Sequence, residues 1–125
     1  MLIVDSQVHI WGADTRERSW PAGRGVEAQL CALAKHPNVA VKASGMPSFS
    51  TQDYPFRDVH DAIHRLVDAF GPRRTFWGTD LTRMPCSYRE CIDLFTKEQR
   101  SWLSGSDLEW VMGRGVCEWL GWARA

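Results

Sequence analysis

Arg74-Thr75-Phe76-Trp77-Gly78-Thr79-Asp80 decides the fold. The run is apolar through its middle and ends on a carboxylate. At the two-residue period of a strand, Phe76, Gly78 and Asp80 share one face and Thr75, Trp77 and Thr79 the other. Gly78 permits close approach of another backbone. Such a run reads as a buried strand whose reactive group sits at its carboxyl end, the edge where parallel α/β folds place their chemistry.

A second run of this kind opens the chain: Leu2-Ile3-Val4-Asp5-Ser6-Gln7-Val8-His9. Leu2, Val4, Ser6 and Val8 form a mostly apolar face suited to packing on helices. Ile3, Asp5, Gln7 and His9 form a face that turns polar toward an imidazole. Polar groups on an inner face are costly unless they bond one another, a substrate or a metal. The expectation is that this strand lies beside Arg74 to Asp80, so that His9 and Asp80 meet.

Between them, Trp11 to Gly25 reads as a loop with Arg16, Arg18 and Arg24, either a solvated connection or an anion clamp. Val26 to Lys35 has the apolar spacing of a helix. His36-Pro37-Asn38 breaks it, and His36, at the end away from the expected chemistry, reads as structural or solvated. Val39 to Ser44 is a strand ended by Gly45. Its odd residue is Lys42, which either pairs with a carboxylate or substrate anion on an inner face or stands in solvent on an edge strand.

Met46 to Tyr54 is a polar loop, and Pro55 suits a first helical turn. Phe56, Val59, Ile63, Leu66, Val67 and Phe70 then define an amphipathic helix stopped by Gly71-Pro72. His60 and His64, in HDAIH, have the spacing of two imidazoles on one helical face. They flank the core stripe, and Asp stands where the zinc-protease pattern has Glu, so a structural reading is preferred. After the loop Leu81 to Cys86, which carries Arg83, Ser87-Tyr88-Arg89-Glu90 and Ser106-Asp107-Leu108-Glu109 have the form of capping boxes. Gly113 and Gly115 are expected to interrupt the second helix before a Trp-rich closing segment, Val116 to Trp122, on the outer layer.

The order strand, loop, helix, strand, helix, strand, helices argues an α/β fold with parallel strands. The 125 residues suffice for one domain with a core. A hydrophobic content of 44% and a formal net charge of zero favour neither nucleic acid nor a membrane surface as partner. No apolar run is long enough to span a bilayer. Four cysteines without CxxC spacing read as reduced thiols of a cytoplasmic protein.

DSQVHIWG, HPNVAVKASG, AFGPRRTFWGTD and MGRGVCEWLGW together resemble the amidohydrolase-related family of the amidohydrolase superfamily. Its members are (β/α)8 barrels that hydrolyse or decarboxylate small carboxylic substrates, often with a divalent metal. The resemblance implies that Asp80 is the last-strand aspartate, a metal ligand or a base. It implies that His9 keeps the second histidine of a first-strand His-x-His whose first position is Gln7 here. Gln7, Lys42 and Arg83 become candidates for holding substrate.

A complete barrel takes about 250 residues. Strands two to six, with the two further metal-binding histidines, have no counterpart here. Residues 1–125 therefore read as a single incomplete domain: a partial barrel of about three parallel strands, in the parent order seven, eight, one, with covering helices.

Two functions follow. One is a hydrolase acting on a small carboxylic or lactone-type substrate through Asp80 and His9, with zinc as the family's metal. His9 and Asp80 are the offered ligands and Gln7 is a poor third, so tight zinc binding within one monomer is not expected. The other is a catalytically inactive remnant or interaction module that self-associates through open sheet edges.

Overall fold

The computed structural model describes residues 1–6 and 30–122. Apolar alternation becomes a parallel ladder in which β1, Val41–Ser44, pairs with β2, Thr75–Gly78, in the register Val41↔Thr75 to Ser44↔Gly78. Both strands are shorter than their sequence pattern, for identifiable reasons. Before β1, the carbonyl of Val39 accepts a hydrogen bond from the Arg74 guanidinium, which also takes the carbonyls of Ala34 and His36. One arginine thus closes the 3-10 turn Leu33–Lys35 and pins it to the start of β2. After β2, the Thr79 N–H turns to the carboxylate of Asp5 at 3.0 Å.

The parallel connection runs through α1, His60–Phe70, entered by a 3-10 turn over Arg57–Val59. Its buried residues, Ile63, Leu66, Val67 and Phe70, recur at the three- and four-residue spacing of one helical face. They meet Val41, Ala43 and Trp77 in the core. Gly71 ends the helix with φ +76°, a conformation open to glycine and strained for other residues. The other side of the core comes from α2, Tyr88–Thr96, through Cys91, Leu94 and Phe95. Ser87 and Glu90 form the expected reciprocal cap at its start.

The second expected capping box does not form. α3, Gly105–Glu109, begins one residue before Ser106, with Ser104 at the cap position. Helical structure then continues through a π turn, Trp110–Arg114, into α4, Gly115–Trp119. Gly113 and Gly115 therefore do not interrupt the helix; they permit contacts. A Cβ on Gly113 would stand 2.9 Å from the carbonyl oxygen of Leu2, and one on Gly115 would stand 3.1 Å from the carbonyl oxygen of Arg73. Through the first gap the opening segment docks, its Val4 N–H donating to the Met112 carbonyl at 2.9 Å. The closing helix also covers the Phe76 side of the sheet, where the Trp119 ring stands edge-on to Phe76 at 6.0 Å. Arg73 locks this helix by a two-pronged ion pair with Glu118 and lies over the Trp110 ring.

The opening residues run along the free side of β2: the N–H and the hydroxyl of Ser6 both donate to the Trp77 carbonyl, at 3.2 and 2.6 Å. The spatial order is thus β1, β2, opening segment, the order expected for strands seven, eight and one. Among the described residues, no helix is long and apolar enough to cross a membrane.

Replacing Gly113 with Ala should destabilise the protein by about 1–2 kcal/mol, because the methyl group meets backbone that must move. This loss exceeds the helix-propensity gain of up to about 1 kcal/mol. Urea unfolding monitored by circular dichroism measures it.

Candidate active site at the carboxyl edge of the sheet

Both strands leave the sheet through a left-handed residue. Gly45 follows β1 with φ +66°, and Asp80 lies just past β2 with φ +54°. Left-handed backbone costs a residue with a Cβ roughly 1–2 kcal/mol, least for Asn and Asp. The two turns nest. A Cβ on Gly45 would lie 3.4 Å from the Asp80 Cβ and 3.7 Å from its Oδ2. Asp80 is 8% exposed. The Ser48 hydroxyl, which donates to the Gly45 carbonyl at 2.7 Å, closes the same corner. The Asp80 carbonyl starts the next turn, Leu81–Arg83, by accepting the Arg83 N–H at 2.9 Å.

Asp5 is the residue that sequence reasoning missed. Its carboxylate accepts both the N–H and the hydroxyl of Thr79, so it fixes the residue immediately before Asp80. The available signal was the pairing of a carboxylate inside an apolar strand with a threonine at a strand end. Tyr88 stands nearby, edge-on to Trp77 at 6.2 Å. Burial raises its phenol above the usual range, and the charge of Asp5 adds to the effect.

Of the other sequence candidates, Lys42 is exposed and in register with Phe76, and among the described residues it meets no carboxylate. Arg83 is exposed on the loop after β2 and lies 6.0 Å from the Phe49 ring on the loop after β1. The two βα loops also enclose a cleft of about 510 Å³, between residues 50–54 and Phe56 on one side and Pro85, Cys86 and Glu90 on the other. Gln7 and His9 lie outside the described residues.

The remaining histidines stand apart. His36 is exposed at its turn, His60 Nε2 is 2.6 Å from the Pro55 carbonyl, and His64 stacks on Trp102 at 4.3 Å. Among the described residues, no three His, Cys, Asp or Glu side chains converge as a metal site would require. Those residues by themselves do not fit zinc, which takes at least three protein ligands.

Two measurements test this geometry. Asp5→Asn should cost about 1.5–3 kcal/mol, since one charged acceptor serves two donors, and urea titration reads it. The second concerns Tyr54, whose hydroxyl donates to Glu98 at 2.6 Å. That bond, then burial, pushes its pKa up to about 12 from 10.0. The unfolded chain loses this proton first, so the stabilisation is complete below about pH 10 and vanishes as pH rises toward about 12. Tyr54→Phe should flatten the alkaline limb of stability against pH.

The amidohydrolase family model matches residues 8–114. Among solved structures, an amidohydrolase from Burkholderia multivorans with bound zinc is 25% identical. Its TM-score is 0.67, with 78% of this chain and 37% of that one covered. The same description, with bound HEPES in another crystal form, gives a TM-score of 0.66 at 25% identity, covering 78% and 36%. The chain therefore spans little more than a third of the solved structures it matches. No curated protein matches it. The superposition makes the architecture a partial barrel-like α/β fold, and the family match over most of the sequence makes this chain a member of the amidohydrolase family.

Proposed function

We propose that the carboxyl edge of β1 and β2 is the working edge of an amidohydrolase-type hydrolase and that Asp80 is its base. One observation carries this reading. A carboxylate is held in a left-handed turn just past the central strand, nearly buried, and packed beside a second left-handed turn at Gly45. A base that must meet water at a fixed position is served by such a placement.

In the proposed step Asp80 takes a proton from water as the oxygen attacks the carbonyl carbon of a small lactone or carboxylic ester. The proton then passes to the departing alkoxide. Arg83 and Lys42 are the cations offered to a substrate carboxylate. His9 and Gln7 are proposed as the polar partners on the opening strand. The support is that Ser6 is bonded to Trp77, three residues short of Asp80, and His9 follows Ser6 by three. Zinc is the metal bound in the Burkholderia protein. The described residues of this chain do not assemble a zinc site, and in the proposed step Asp80 acts directly on water.

The second reading is a self-associating module without catalysis. It is favoured by β1, which among the described residues is paired with a strand on one side only.

A panel of lactones and aryl esters, assayed together with light scattering, separates the two. The hydrolase reading expects turnover above background and a loss of about 10²-fold or more in Asp80→Asn with the fold intact. Unchanged turnover in that variant removes Asp80 from the mechanism. Association without turnover supports the second reading.

A further inference from the structure

Two thiols outside the Asp80 corner lie in contact. Cys86 Sγ and Cys91 Sγ are 3.6 Å apart, with both cysteines free. Cys86 is half-buried and lines the 510 Å³ cleft between the βα loops. Cys91 is 2% exposed, beneath it on α2. The backbone between them is held. The Ser87 N–H and hydroxyl both bond Glu90 Oε2, at 2.8 and 2.6 Å, and the Cys91 carbonyl accepts the Trp77 indole N–H at 3.3 Å. The other cysteines lie elsewhere: Cys31 donates to the Arg65 carbonyl, and Cys117 is buried in α4.

We propose that Cys86 and Cys91 form a peroxide-oxidisable pair that closes reversibly to an intrachain disulfide, a modification site on the loop beyond the Asp80 corner. Cys86 is the sulfur that reacts first, because it alone of the two reaches the cleft. Burial raises both thiols, Cys91 to about 12, while the hydrogen bond from Cys91 favours ionisation of Cys86.

The Cys86 thiolate attacks one oxygen of a hydroperoxide. The O–O bond breaks, and the departing oxygen leaves as water or alcohol after taking a proton, giving the sulfenic acid. The Cys91 sulfur then attacks the Cys86 sulfur. The S–O bond breaks, water leaves with the Cys91 proton, and the disulfide forms. Two electrons pass from the thiol pair to the peroxide, and a dithiol returns them. The sulfurs must close to about 2.05 Å, a movement that side-chain rotation of the half-buried Cys86 can supply.

The test treats the whole chain with hydrogen peroxide and then counts thiols after denaturation. The expected result is a fall from four thiols to two and a mass lower by two hydrogens. Trypsin cleavage after Arg83, Arg89 and Lys97 should leave residues 84–89 joined to residues 90–97, and dithiothreitol should restore all four thiols. Cys91→Ser should instead accumulate Cys86 sulfenic acid, trapped by dimedone, and Cys117→Ser should behave as the parent.

If Cys91→Ser does not fold, Cys86→Ser decides from the accessible side. It should abolish the disulfide, and a disulfide that persists in that variant overturns the proposal. So does oxygen added at Cys86 while Cys91 keeps its thiol in the parent chain, or four intact thiols under peroxide that fully oxidises free cysteine.

Discussion

Trp77 is the residue through which the described parts of this protein are joined. Its side chain, 1% exposed, fills the space between β2 and the helices and donates its N–H to a carbonyl of α2. Its own carbonyl receives both donors of Ser6. A two-stranded parallel sheet of four residue pairs is too small to persist by itself. The indole supplies area on one side and polar anchors on two, so strand, helix and opening segment become one unit. Burying so large an aromatic contributes roughly 3–5 kcal/mol, the usual loss on truncation to alanine.

The Asp80 corner depends on that unit. Asp80 is three residues beyond Trp77, and its backbone position is set from both sides of β2. On one side Asp5 holds Thr79; on the other the Asp80 side chain packs beside Gly45. The left-handed turns at Gly45 and Asp80 point both chain exits away from the sheet, and the loops that follow meet at Arg83 and Phe49. Surrounding contacts hold a strained backbone at the sheet edge where barrel enzymes carry their chemistry.

At the opposite end of β2, cations take over. Arg74 gathers three carbonyls from the chain entering β1, and Arg73 clamps the closing helix through Glu118 and Trp110. These contacts fix the amino end of β2 to the chain before β1 and to the closing helix. On the Phe76 side the closing helix lies against the sheet, with the Trp119 ring edge-on to Phe76.

Sequence alone determined the α/β class and the parallel sense of the strands, through the order of elements, and the buried face of α1 and the cap of α2, through spacings of a few residues. It also singled out Asp80, a carboxylate ending an apolar strand. Tertiary structure decided what depends on distant backbone. Gly113 and Gly115 read as helix breakers and are instead gaps into which Leu2 and Arg73 fit. Lys42 read equally well as paired or solvated and is exposed. Asp5 gains its role only because the opening segment lies beside β2, and Cys86 meets Cys91 only because the Ser87 cap folds one over the other. Sequence spacing encodes which face of an element is apolar; which atoms reach across to that face is set by how the elements pack.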